Sequence, residues 1–239
     1  MTEIIEVINR SAQGMSGVHL CKGDDHKKYW VKGHNVSRLD QIKEWICAHL
    51  AVSMKLPFPE FKLVNFSEEL IDCLPNDQKI IGEGPAFGTV DVDNSQWFQK
   101  SSIKLIDESL AIKILLFDFW VQNLDRTDSN PNLLFNHTKK ELVVIDHNLA
   151  FDLEFNESDF FDLHVFPHLK DKIFGDLFKK EAFELKMAQA ILSAKESLNQ
   201  IPEQWQWTDL EETCPIELDY DSIFAILNLY QQPSFWSSK

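Results

Sequence analysis

The sequence predicts an α+β fold in which a small β-rich lobe precedes a larger, mainly helical one. Seven of the eight glycines (Gly14, Gly17, Gly23, Gly33, Gly82, Gly84, Gly88) fall within the first 88 residues, and only Gly175 lies beyond them. That distribution puts strands and tight turns at the N-terminal end. The stretches EIIEVINR and KKYWVKG carry the β-branched and aromatic residues of strands. From about Ser102 onward, apolar residues recur instead at helical spacing. With 239 residues, 44% of them hydrophobic, the chain fits one large domain or two lobes sharing a cleft.

Taken in order, the first two strands are joined through SAQGMSGVHLCKGDD, which contains a plausible hairpin. A helix starts near Ser37, because Leu39, Ile42, Ile46 and Leu50 recur at spacings of three and four. It stops before LPFPE, whose prolines cannot continue it. FKLVNF reads as a further strand, and EGPAFGTVDVDNSQ as a turn-rich connection between lobes. The boundary falls near residue 86, giving lobes of 1–86 and 87–239. The helix from Ser102 carries one stripe of Ile106, Leu110, Ile114, Phe117, Val121 and Leu124. NLLF and ELVVID, flanking the turn NHTKK, form a hairpin that holds Asp125 and Asp146 near each other. Helical patterning returns in DLFKKEAFELKMAQAILSAKESL and DYDSIFAILNLY.

Composition narrows the partners. Asp and Glu number 38 against 23 Lys and Arg, a formal charge of −15, which disfavours nucleic acid or an anionic membrane as the main partner. Cys21, Cys47, Cys73 and Cys214 form no C-x-x-C pair, so zinc and thioredoxin-like chemistry are not indicated and reduced, mostly buried thiols are expected. The acidic N-terminus lacks the basic flank of a signal peptide, and AIKILLFDFWV is interrupted by Lys113 and Asp118. A cytoplasmic location is the expectation. His164 and His168 straddle Pro167 and lack the glutamate of a zinc-protease helix, so both are expected at the surface.

The chemistry concentrates in NLDRTDSNPNLLF. Asp125 is followed five residues later by Asn130, and Asp146 ends the strand-like run LVVID. Phosphoryl transfer needs a carboxylate near the attacking hydroxyl, ligands for Mg²⁺, a lysine on the phosphates and backbone amides over them. Asp125 is placed as the base, with Asn130 and Asp146 as metal ligands. Asn supplies a neutral oxygen where another carboxylate would add repulsion, and Mg²⁺ accepts a few hard oxygen ligands while keeping its waters. Asn132 is an alternative ligand, ranked below Asn130 because it opens a strand. Lys32 ends the strand YWVK, and Glu44 lies on the following helix, a spacing that suits a phosphate-binding lysine held by a glutamate. Gly14, Ser16 and Gly17 would approach the phosphates of ATP through their backbone.

This combination resembles the HipA-like kinases, specifically their compact branch with W..N.DR...NPNLL and IDH..AF segments. The matching residues are Trp120, Asn123, Asp125, Arg126, Asn130, Pro131, Asn132, Leu133 and Leu134, then Ile145, Asp146, His147, Ala150 and Phe151. WVKG with the following helix is similar to that family's nucleotide-lysine region, GPAFG to its interlobe segment, and IPEQW to a segment near its C-terminal end. The resemblance implies a bilobal protein-kinase-like fold, with 1–86 as the nucleotide-binding lobe and 87–239 as the catalytic lobe. It also implies ATP- and Mg²⁺-dependent transfer to a Ser or Thr hydroxyl on a protein, and it leaves room for an inhibitory partner protein. Two departures stand out. Thr127 stands where the better-known HipA pattern has a histidine two residues after the base, and His147 and Asn148 stand where eukaryotic protein kinases carry Phe and Gly.

Bland readings compete with each of these. Asn, Asp and Pro crowd ordinary turns, an isolated strand lysine is usually solvated, and paired glycines suit any hairpin. The order of Lys32, Glu44, Asp125, Asn130 and Asp146 together carries the sharper reading. Arg126 is expected as structural support, paired with Asp118 or Asp128. Ser158 is the candidate if phosphorylation regulates the stretch after Asp146. A nucleotide-binding pseudokinase serving as an interaction module, and a small-molecule or lipid kinase, are the rival readings.

Overall fold

The computed structural model describes residues 1–11, 17–174, 177–209 and 211–237. Strands β1 (Thr2–Arg10), β2 (His19–Gly23), β3 (Lys28–Lys32), β4 (Phe61–Phe66) and β5 (Gly84–Val90) close into a barrel of order β1-β2-β3-β5-β4. A parallel pairing of Thr2 with Val64 and Glu3 with Asn65 shuts it. Period-two alternation explains the core: Cys21, Tyr29, Val31, Val64, Phe66 and Ala86 point inward with Ile4 and Ile81. Helix α1 (Arg38–Ser53) and the short α2 (Glu68–Cys73) interrupt the strands. Ser67 caps α2 by accepting from the Leu70 amide.

Strand β5 takes up residues 84–90 of the stretch 83–96 expected as a turn-rich connection. Its glycines and Pro85 hide it, since a proline is rarely tolerated in the middle of a sheet. Pro85 pairs with Asn65 of β4, but the β3–β5 ladder ends at Lys32 opposite Phe87, so no β3 partner stands beside it. Gly88 allows close packing: a Cβ there would lie 3.0 Å from Val64 Cγ1, which would have to shift.

After the barrel strands, β6 (Gln96–Trp97), β7 (Leu133–Asn136) and β8 (Glu141–Val144) form a three-stranded sheet. The β7–β8 hairpin has the expected strands, with Leu133 opposite Val144. Helix α3 (Glu108–Trp120) begins six residues after the predicted start, because Asp107 accepts from the Leu110 amide and caps it, while Lys100–Leu105 forms a separate 3₁₀ turn. It is also buried on every side from Ile114 to Trp120 rather than along one stripe, as befits a central helix. Its Phe119 is ringed by Phe155, Phe160, Phe161, Phe174 and Phe235 at centroid distances of 5.0 to 6.0 Å. Helices α4 (Glu157–Leu163), α5 (Lys170–Phe174), α6 (Leu177–Ser197) and α7 (Tyr220–Leu227) follow.

The chain divides into two compact units: Met1–Trp45 with Pro59–Asp93 and Gln200–Leu218, and Ile46–Phe58 with Asn94–Asn199 and Asp219–Lys239. The content is mixed α and β, with the barrel in the first unit and most of the helix in the second. Among the described residues no helix is long and apolar enough to cross a membrane. The cysteines differ from expectation: Cys21 and Cys47 are buried, but Cys73 and Cys214 are exposed, because one closes a surface helix and the other sits in a loop.

Candidate functional site

In the first unit, Lys32 and Glu44 form a buried ion pair. Strand β3 delivers the lysine inward at its last residue, and α1 presents the glutamate on the face it shares with Arg38 and Gln41, three residues apart at each step. Both partners are almost fully buried, at 7% and 1% exposure, and a buried charge persists only when paired. Gln41 fastens the helix beside them. Its Nε2 donates to the Gly33 carbonyl at 2.8 Å, next to Lys32, and its Oε1 accepts from the amide of Phe87 at 3.3 Å, opposite Lys32. Gly17 adopts φ +63°, a left-handed conformation suited to glycine, and its carbonyl accepts from Asn35 Nδ2 at 3.1 Å. Gly14 and Ser16 lie outside the described residues.

In the second unit, Asp125 is the hub of the loop after α3. Its Oδ2 accepts from Asn130 Nδ2 at 2.9 Å and from Asn132 Nδ2 at 2.7 Å. Both amides use the same oxygen, so Oδ1 remains as acceptor for a further donor. With each amide nitrogen turned to Asp125, the carboxamide oxygens of Asn130 and Asn132 are left as hard, neutral donors. Thr127 bonds across the loop: its hydroxyl accepts from the Asn130 amide at 3.2 Å, and its amide donates to the carbonyls of Asp125 and Asn130. It therefore shapes the turn that presents Asn130.

The hairpin brings the second acid to the same place. Ile145 donates to the Asn132 carbonyl at 3.1 Å, so Asp146 leaves β8 beside the start of β7. Asp146 has φ +61° and Asn132 φ +45°; Asn and Asp tolerate that region better than other side chains do. Among the described residues no three His, Cys, Asp or Glu side chains cluster as a metal site. A divalent ion here would rely on Asp146, an asparagine oxygen and water, which fits the small, water-retaining Mg²⁺.

Beneath this loop lies a buried polar cluster that sequence reasoning only half anticipates. Arg126 and Asp118 are fully buried and paired, with Nε to Oδ2 at 2.6 Å and Nη2 to Oδ1 at 3.3 Å. Of the two partners expected for Arg126, the structure selects Asp118, since Asp128 pairs with Lys100 at the surface. The second fork of Arg126 donates to the carbonyls of Pro131, Asn132 and Ile145 at 3.2, 2.5 and 3.2 Å. One guanidinium thus ties both arms of the hairpin to α3. Asn123 continues the chain of contacts, donating to Asp118 Oδ1 at 3.0 Å and accepting from the Asp125 amide at 3.2 Å.

His164 belongs to this cluster and not to the surface. Its Nε2 lies 3.2 Å from Asp118 Oδ2, and its Nδ1 accepts from the Phe166 amide at 3.1 Å. The surface expectation fails because histidine spacing says nothing about a carboxylate 46 positions away. His147 Nε2 accepts from Arg126 Nη2 at 2.8 Å, and its ring packs edge-on against Phe117. Buried Asp118 was the missing signal: an acid inside an otherwise apolar helix calls for partners. Ser158, by contrast, is exposed in the first turn of α4.

The cluster sets a pH response. Burial holds the pKa of His147 and His164 below the ordinary 6.5, outweighing the Asp118 hydrogen bonds that raise them. For Asp118, burial opposes ionisation, yet Arg126 and the two histidines hold its carboxyl well below the usual 3.8. The unfolded chain therefore binds more protons than the fold, at the histidines as pH falls below 6.5 and at Asp118 in stronger acid, so stability falls with pH. Thermal melts between about pH 7.5 and about pH 5 should show a declining midpoint, and His164→Gln should flatten that slope. A slope unchanged in the variant would remove His164 from the response.

A family model described as HipA-like kinase matches residues 4–239. Among solved structures, the crystal structure of a Helicobacter pylori proinflammatory kinase, CtkA, is similar to this chain with a TM-score of 0.47 and 11% identity, over 96% of this chain and 92% of that one. No curated protein matches the sequence.

Proposed function

Because the chain belongs to the HipA-like kinase family, we propose that it transfers the γ-phosphate of ATP, in its Mg²⁺ complex, to a Ser or Thr hydroxyl on a protein. The observation that carries this reading is the convergence of Asn130 and Asn132 on one oxygen of Asp125. A carboxylate fixed in this way has one oxygen held and the other ready to take the proton of an attacking hydroxyl. Asn130 and Asp146 would hold the metal, with Asn132 as the alternative ligand. Mg²⁺, when bound, neutralises and orients the phosphates.

The same reading takes the fold as two-lobed and protein-kinase-like, with the barrel unit binding nucleotide and the helical unit supplying the base. Lys32 would engage the phosphates while Glu44 keeps its ammonium group in place, and the backbone near Gly14, Ser16 and Gly17 would approach them. The acidic surface favours a protein or peptide acceptor with positive charge, and an inhibitory partner protein is compatible with the family.

The deciding experiment incubates the protein with labelled ATP and Mg²⁺ in a cell lysate and identifies the labelled residue. Phosphoserine or phosphothreonine on a protein supports the reading, and label confined to metabolites or lipids replaces the acceptor class. Mg-ATP binding with no transfer, even to itself, reduces the protein to a nucleotide-binding interaction module. Asp146→Ala should weaken Mg-ATP binding about tenfold or more as well as stopping transfer. Binding equal to wild type by calorimetry would remove Asp146 from the metal site.

A further inference from the structure

IPEQW lies far along the chain from Lys32, yet it belongs to the same compact unit. The Trp205 ring is fully buried, and its Nε1 donates to the carbonyl of Pro85 at 2.9 Å. Arg38 Nη1 donates to that same carbonyl at 2.8 Å. Pro85 lies beyond the last β3–β5 pair, so two side-chain donors meet its carbonyl where strand β3 has ended. Arg38 is the first residue of α1, and its Nη1 also reaches Gln41 Oε1 at 3.4 Å. Gln41 then bonds Gly33 and Phe87, which flank Lys32 in sequence and across the sheet. Arg38, Gln41 and Glu44 are all buried along one face of the helix.

We infer that Trp205 is a positioning residue: by sharing the Pro85 carbonyl with Arg38, it fastens the start of α1 against β5 and so holds Glu44 on Lys32. The segment around Trp205 then serves as a built-in clamp for the ion pair. Burial supports the clamp, because desolvation lowers the Arg38 pKa to about 10, and a guanidinium held away from water depends on acceptors such as this carbonyl. The functional consequence rests on the reading of Lys32 as the phosphate-binding lysine.

Two measurements on the full chain test it. Deuterium exchange without nucleotide should show α1 amides exchanging about tenfold faster in Trp205→Phe, which keeps an aromatic ring but loses the N–H donor. Arg38→Gln should do the same and serves if the tryptophan variant folds poorly. Unchanged α1 exchange in both variants overturns the inference. The second measurement titrates Mg²⁺ with a fluorescent, non-hydrolysable ATP analogue. Trp205→Phe should weaken binding several-fold in the wild-type background and add nothing in Lys32→Met, since the clamp acts through Lys32. Equal weakening in both backgrounds marks a general loss of structure and overturns the positioning role. Faster α1 exchange in Trp205→Phe, together with no Mg-nucleotide binding by the wild-type chain, would keep the clamp and sink the kinase reading instead.

Discussion

On the proposed function, Asp125→Asn should lower phosphoryl transfer about 10³-fold while leaving Mg-ATP affinity within about twofold of wild type. The substitution preserves shape, and the amide oxygen it leaves can still accept from Asn130 and Asn132. On the proposed reading, what it removes is the basic oxygen that would take a proton from the acceptor hydroxyl. Asp125→Ala does more: it also strips both asparagines of their acceptor at 2.9 and 2.7 Å, which adds a stability loss of about 1–3 kcal/mol for unsatisfied polar groups. Comparing the two variants by single-turnover kinetics, calorimetry and thermal melting separates chemistry from loop order. An Asn variant that keeps a tenth or more of the wild-type rate would exclude Asp125 as the base.

The second large effect is on folding. Arg126→Met leaves Asp118 ionised and fully buried without its main counter-charge. Removing one partner of a buried pair costs about 3–5 kcal/mol, against a total stability of roughly 5–15 kcal/mol for a domain. Three carbonyls each lose a donor as well, although that of Asn132 keeps the Ile145 amide, so the upper end of that range is expected. Pairing Arg126→Met with Asp118→Leu should recover part of the loss, since the uncompensated charge goes but the carbonyls do not regain the guanidinium. Urea denaturation of the single and double variants checks this. If Arg126→Met unfolds within about 1 kcal/mol of wild type, the guanidinium is not what ties the hairpin to α3.

Several features were readable from residue order alone. The barrel strands around EIIEVINR, KKYWVKG and FKLVNF follow from β-branched and aromatic runs, and α1 follows from apolar spacing ended by Pro57 and Pro59. The β7–β8 hairpin follows from two short apolar stretches around a polar turn. The family resemblance was equally local, because DRTDSNPN and VVID are contiguous segments. These features share a cause: the interactions that specify them lie within a few residues along the chain.

What was missed lies between segments remote in sequence. Strand β5 is a strand because β3 and β4 stand on either side of it, although its own glycines and Pro85 argue for a turn. His164 is buried because an acid in α3 awaits it, and Trp205 reaches the barrel from 120 positions beyond its acceptor. Asp118 drew Arg126 in preference to Asp128 because a buried carboxylate gains far more from a cation than a solvated one does. Local pattern carries periodicity, capping and turn chemistry; partner choice for a buried polar group is a matter of desolvation, and desolvation exists only once distant segments have packed.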